Sequence, residues 1–133
     1  MLLVQNVIRN SRIHKNRPAT IMGDRVRTWA DFNDRVARAA AGLQAMGVAE
    51  GDRVGLLALN SDRYLESLFA IMWSGAVMVP MNTRWSLEEN AYSVRDSGLE
   101  VLIVDDNFLD IAEGVCEGLQ VDPGLPICPV SRL

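Results

Sequence analysis

Few side chains in this sequence suit acid–base, nucleophilic or metal chemistry, and their scarcity narrows the reading. There is one histidine, His14, and one lysine, Lys15, against twelve arginines. A Ser–His or Cys–His couple would have to use His14. That residue falls at the polar end of a short helical pattern, where an exposed surface position is expected. Cys116 and Cys128 form no CxxC pair and no disulfide framework. With a single histidine they supply no zinc ligand set. Three polar tripeptides each follow an apolar run: Asn60-Ser61-Asp62, Asn82-Thr83-Arg84 and Asp105-Asp106-Asn107. If those runs are parallel strands, the tripeptides lie at the carboxyl edge of one sheet, where α/β proteins collect ligands. No G-x-G-x-x-G, G-x-x-x-x-G-K-[ST] or G-x-S-x-G sequence accompanies them. No catalytic residue and no metal ligand is therefore assigned.

The elements that would position these residues are legible from spacing. Residues 2–14 show a short helical pattern that Asn16-Arg17-Pro18 ends, because the residue before proline avoids the helical region. Residues 19–22 and 25–28 read as a hairpin around Gly23-Asp24, with glycine at the first central position as a type II′ turn requires. Thr28 can cap a helix with Asp31 in an acidic capping box. Trp29, Phe32, Val36, Ala39, Ala40, Leu43 and Met46 then recur at helical spacing, and Gly47 is a left-handed stop with Val48 beside it. Residues 53–59, 76–79 and 101–104 are continuous apolar runs, the pattern of strands covered on both faces. Helices are expected between them, at about 63–73 and from Ser86 to about Asp96, the second opened by a Ser86/Glu89 capping box. Residues 108–119 are helical in spacing, and 122–133 carry three prolines and weak signals. The alternation implies right-handed βαβ crossovers, a parallel sheet with helices on both faces, and a small N-terminal hairpin. The three strands are expected to be parallel neighbours.

Composition is that of a globular chain, with 49% hydrophobic and 23% charged residues. Net charge is −4, which argues against nucleic acid as the main partner. The charge is uneven: eight bases and three acids in 1–38, four and seven in 39–99, one and seven in 100–133. The simplest account of this asymmetry is a set of solvated faces. The start of the chain has no cationic segment and too short an apolar run for a signal peptide. The greasiest stretch, 68–81, is interrupted by Ser74-Gly75 and Pro80 and falls short of the ~20 residues a membrane span needs. A reducing cytoplasm is the expected location. Asp105-Asp106 after an apolar run resembles the acidic pair of a phosphoacceptor receiver, but no lysine and too little chain follow it.

The order of the pieces is more specific than any one of them. Arg27-Thr28-Trp29-Ala30-Asp31-Phe32 resembles the first core motif of the AMP-forming acyl-adenylate synthetases, a superfamily that includes acyl-CoA synthetases, amino-acid adenylation domains and luciferases. The stretch from Gly47 to Val54 is similar to its GV-x-x-GDRV turn. Asn60-Ser61 and Leu65-Glu66 match the helix that follows. The run from Trp73 to Asn82 resembles the second core motif, and Leu87-Glu88-Glu89 and Asp96-Ser97-Gly98 complete the series. The match runs unbroken over about residues 17–105. Asn82, where adenylation domains typically carry aspartate, is similar to the acyl-CoA branch.

This resemblance implies an N-terminal portion, residues 1–133, of the large domain of a longer synthetase. Residues 122–133 would start the connection to missing sequence. The whole enzyme would use ATP, magnesium and coenzyme A to convert a carboxylic acid to an acyl-adenylate and then to an acyl-CoA. Its partners would be that acid and the remainder of the synthetase, with no nucleic acid and no membrane span. The family's lysine-ended Ser/Thr/Gly-rich phosphate loop, aromatic-Gly-x-Thr-Glu motif, Thr-Gly-Asp ribose site and mobile C-terminal domain are not in this sequence, so the chain by itself is expected to be inactive. Arg84 matches an arginine that lies near coenzyme A phosphates in aryl-CoA ligases, and it is the one cofactor contact the resemblance carries over. The reading from another class is a free-standing, non-catalytic α/β binding or interaction module.

Overall fold

The computed structural model describes residues 2–118 and 125–132. Helix α1 (Leu2–Ile13) leads into a hairpin of β1 (Pro18–Met22) and β2 (Arg25–Thr28). Then come α2 (Trp29–Ala45), β3 (Arg53–Leu57), α3 (Asp62–Ser74), β4 (Val77–Pro80), α4 (Leu87–Ser97) and β5 (Val101–Val104). A 3₁₀ turn at Asp106–Phe108, α5 (Leu109–Gly118), β6 (Ile127–Pro129) and a last 3₁₀ turn follow.

Local chemistry sets the helix ends where spacing placed them. The Thr28 hydroxyl accepts from the Asp31 N–H at 3.2 Å, while the Asp31 carboxylate accepts from the Thr28 N–H at 3.1 Å. At the other end of α2, the Gly47 N–H donates to Gln44 O at 3.0 Å and the Val48 N–H to Leu43 O at 3.1 Å. With Gly47 at φ 98° this is a Schellman motif, and Val48 and Leu43 are both buried in one cluster. Ser61 caps α3 through the Tyr64 N–H at 3.0 Å, and Gly75, left-handed at φ 91°, ends it. Ser86 and Glu89 form the reciprocal box on α4.

The sheet has the order β4-β3-β5-β6 and is parallel throughout. Val54 and Leu56 of β3 and Val101 and Ile103 of β5 face α2 and α3. Leu57, Leu102 and Val104 face the other layer, with Ala91 and Val94 of α4 and Ala112 and Val115 of α5. The two central strands therefore read as unbroken apolar runs, because both of their faces are covered.

Four expectations need correction. The strand expected at 53–59 ends at Leu57, and Leu59 is 49% exposed as the chain leaves the sheet for the Ser61 cap. The strand expected at 76–79 is not covered on both faces. Val77 is 52% exposed and Met78 and Val79 are half-buried, because β4 is the edge of the described sheet. It pairs with β3 only, so β4 and β5 flank the same strand without touching each other's ladder. The helix expected from Phe108 begins at Leu109, after the 3₁₀ turn, and its proposed end at Leu119 lies outside the described residues. Within 122–133, residues 122–124 and 133 also lie outside them, while Ile127–Pro129 form a fourth parallel strand on β5 that the weak local pattern hides.

Two bidentate ion pairs hold α3 against the N-terminal half. The Arg25 guanidinium donates to both Asp62 oxygens at 2.6 and 2.7 Å, joining β2 to the start of α3. The Arg35 guanidinium donates to both Glu66 oxygens at 2.6 and 2.8 Å, joining α2 to α3. Hydrogen bonds from Arg25 hold the Asp62 carboxyl below its ordinary pKa against the opposing effect of burial. A carboxyl with a lowered folded pKa stabilises the fold above its unfolded value of about 3.9, and that contribution disappears as pH falls through the folded value. Thermal stability should therefore fall on acidification below about pH 4, more steeply than in Asp62→Asn, when both are melted across a pH series. Equal acid sensitivity of the two proteins would remove Asp62 from the account.

Candidate functional site at the carboxyl edge of the sheet

Because β3, β4 and β5 are parallel, the three polar tripeptides all leave the same edge of the sheet. Two ladder bonds fix where the strands end: Met81 N–H to Leu56 O at 3.0 Å and Asp105 N–H to Leu57 O at 2.9 Å. Asn60-Ser61-Asp62 is occupied by structural work, since Ser61 caps α3 and Asp62 is neutralised by Arg25. In Asp105-Asp106-Asn107, one Asp105 oxygen accepts from the Asn107 N–H at 3.0 Å and from the Asn107 side-chain amide at 2.6 Å. Asp106 accepts from the Ser131 hydroxyl at 3.1 Å.

The Asn82–Ser86 loop is the most constrained of the three. Pro80 closes β4, and Met81 is buried beneath the loop. The Asn82 side-chain oxygen accepts from the Arg84 N–H at 2.9 Å, and Asn82 O accepts from the Trp85 N–H at 3.2 Å. From α4, the amide of Asn90, 1% exposed, donates to Trp85 O at 3.1 Å and Ser86 O at 3.0 Å. Arg84 thus rides on a turn pinned from both ends. Its side chain is exposed and makes no ion pair among the described residues. It is the only cation in the three tripeptides. An arginine fork held this way can accept a phosphate without first breaking a protein contact. The family resemblance singled out Arg84 but not Asn90, whose role depends on carbonyls that face it only once α4 is docked.

Other candidates do less. His14 is half-buried behind α1 and not fully exposed as expected. Neither cysteine is disulfide-bonded. Burial raises the Cys116 thiol, with Glu117 adding to the effect, so it is a poor nucleophile. Among the described residues no three His, Cys, Asp or Glu side chains are grouped to hold a metal ion. No helix among them is long and apolar enough to cross a membrane. An open groove of about 520 Å³ runs along α4, lined by Trp85, Glu88, Glu89, Tyr92, Ser93 and Asp96. Its three carboxylates make it unsuitable for a phosphate.

The residues that carry the sequence motifs are thus mostly scaffold: Thr28 and Asp31 close a cap, Gly47 and Gly51 take positive φ, and Asp52 accepts from the Ala49 N–H at 2.7 Å. Comparison with known proteins gives the same arrangement a family. The profile of the AMP-binding enzyme family matches residues 7–128. A feruloyl-CoA synthase of Amycolatopsis sp is 44% identical over 96 residues, covering 72% of this chain and 20% of that protein. The chloroplastic/peroxisomal 2-succinylbenzoate–CoA ligase of Arabidopsis thaliana is 41% identical over 87 residues, 65% of this chain and 16% of that one. The chain thus spans about a fifth of the length of these relatives. In structure, the anthranilate CoA ligase AuaEII, solved with anthranoyl-AMP, superposes with a TM-score of 0.87 at 32% identity, covering 96% of this chain and 24% of that one. The N-terminal domain of FACL13 from Mycobacterium tuberculosis gives 0.90 at 25% identity, covering 98% and 34%. With the profile matching nearly all of this chain and the fold shared, the chain belongs to the AMP-binding enzyme family.

Proposed function

We propose that this chain is the N-terminal scaffold of an acyl-CoA synthetase. Residues 1–133 form the first portion of its large domain, and 122–133 lead onward to the remaining sequence. In the reaction proposed, a carboxylate oxygen attacks the α-phosphorus of ATP and pyrophosphate leaves. The thiol of coenzyme A then attacks the acyl carbon and AMP leaves. The observation that supports this reading is the family match, with relatives named as CoA ligases for several different acids. A reducing cytoplasm suits the two thiols outside any disulfide.

The residues described here do not fit a magnesium or triphosphate site. There is one lysine, on the turn after α1, and no grouped set of metal ligands among the described residues. Those groups are left to the rest of the enzyme. Arg84 does fit a phosphate of coenzyme A, because it is cationic, exposed, without an ion pair among the described residues, and carried on a turn pinned at the carboxyl edge. This chain's share of the work is to hold that loop and to supply the packed layers beneath it.

The protein at its natural full length should catalyse ATP–pyrophosphate exchange that depends on an added carboxylic acid, and should form a thioester when coenzyme A is present. Absence of exchange across a panel of aryl, short-chain and long-chain acids would defeat the proposal. Arg84→Ala should raise the KM for coenzyme A about 3–30-fold, from ~1–2 kcal/mol of lost charge-assisted bonding. The exchange half-reaction, which does not use coenzyme A, should be nearly unchanged. A mutant that lost exchange while its coenzyme A dependence stayed constant would make Arg84 structural.

A further inference from the structure

Asn90 is a costly residue for its place in the fold. It is buried one turn before Val94, on the face of α4 that packs toward the sheet. Asparagine is a weaker helix former than leucine. Its side-chain oxygen is buried and has no hydrogen-bond partner among the described residues, and an orphaned acceptor lowers stability. The nitrogen end is fully used, donating to Trp85 O at 3.1 Å and Ser86 O at 3.0 Å. The reverse orientation of the amide would set its oxygen against both carbonyls, so the contacts fix which end faces the loop. A leucine would remove the orphan, and Ser86 O would still accept from the backbone N–H of residue 90, now at 3.0 Å. What asparagine alone supplies is a grip on Trp85 O, the residue after Arg84. The other bonds that shape the loop are local and exposed: Arg84 N–H to the Asn82 side-chain oxygen at 2.9 Å and Ser86 N–H to the Glu89 carboxylate at 2.8 Å. A residue kept against both helix propensity and polar satisfaction marks a place where function outweighs stability.

We propose that Asn90 is a positioning residue for the coenzyme A step, acting through the Asn82–Ser86 loop to hold Arg84 where it meets a phosphate. This inference rests on the reading of Arg84 given above. Asn90 itself touches no substrate. Trp85 is held at its N–H by Asn82 O, at 3.2 Å, and at its carbonyl by Asn90. The backbone that carries the guanidinium is therefore ordered before the ligand arrives, and the ordering cost of binding is correspondingly smaller. The directional fork of an arginine makes its affinity for phosphate sensitive to that placement. Loosening the loop should weaken capture of coenzyme A and leave formation of the acyl-adenylate alone, because that half-reaction does not use Arg84.

The test uses the full-length enzyme. Asn90→Leu should raise the KM for coenzyme A about 3–10-fold, and no further than Arg84→Ala does. Its kcat at saturating coenzyme A and its acid-dependent ATP–pyrophosphate exchange should stay within about 2-fold of the parent. Its melting temperature should be unchanged or higher, since the orphaned acceptor is gone. A merely structural role predicts the opposite pair, a lower melting temperature with an unchanged KM. Asn90→Gln, which keeps the amide, should raise the KM less than Asn90→Leu. Hydrogen exchange at the Arg84 and Trp85 amides should be faster in Asn90→Leu. Adding Asn90→Leu to Arg84→Ala should change the KM no further, because both act through one group. Should Asn90→Leu fail to fold, Asn90→Gln alone and with Arg84→Ala carries the same comparison. A parental KM, full additivity with Arg84→Ala, or an exchange rate that falls as far as coenzyme A capture would each overturn the proposal. If Arg84→Ala raises the KM and Asn90→Leu does not, this inference fails alone; if Arg84→Ala leaves the KM unchanged, the reading of Arg84 fails with it.

Discussion

Glu66→Ala should lower the unfolding free energy by about 2–4 kcal/mol, because it strands a partly buried guanidinium. Glu66 has 7% side-chain exposure and receives both arms of Arg35, itself 21% exposed. The pair joins α2 to α3 across the layer that covers one face of the sheet. Arg63, 3.6 Å from the same carboxylate, would also lose its partner. Arg35→Met should cost at least as much, since it leaves the more deeply buried Glu66 carboxylate with only the 3.6 Å contact to Arg63. A double-mutant cycle with Arg35 and Glu66, followed by urea unfolding, isolates the coupling. A coupling below about 0.5 kcal/mol would reduce this contact to an ordinary surface ion pair.

Ile103→Ala should cost about 2–5 kcal/mol, the range for a large side chain removed from a packed core. Ile103 is fully buried in the centre of β5, between β3 and β6, with its side chain in the layer of α2 and α3. Val77→Ala, on β4, removes an equally apolar group from a strand the sequence paints much like β5, and should cost under about 1 kcal/mol because half of that side chain is already in water. Denaturant titration of both variants in the full-length protein decides the matter. A small loss for Ile103 would contradict the placement of the core. A large loss for Val77 would mean that other parts of the enzyme cover the edge of β4.

The sequence by itself determined the local events. Thr28 with Asp31, Ser86 with Glu89, and glycine at 47, 75 and 98 set helix ends within a residue or two, because a cap is decided by side chains three or four positions away. It determined the parallel sheet, since unbroken apolar runs joined by helices leave few other topologies, and the ordered series of motifs from Arg27 to Gly98 carried the resemblance to the family. It also brought forward Arg84, on a loop whose place at the carboxyl edge follows from that topology.

Tertiary structure alone decided which apolar run lies at an edge, for Val77–Pro80 and Val101–Val104 differ little in composition and differ in burial only through their neighbours in the sheet. It revealed β6, whose three residues have no periodicity of their own and are held by the ladder that β5 offers. It matched Arg25 to Asp62, 37 positions away, Arg35 to Glu66, 31 away, and Asn90 to the carbonyls behind Arg84. Charges and amides carry no signature of their partner in a single sequence. The pairing is written by helix docking, which brings together groups that spacing along the chain keeps apart.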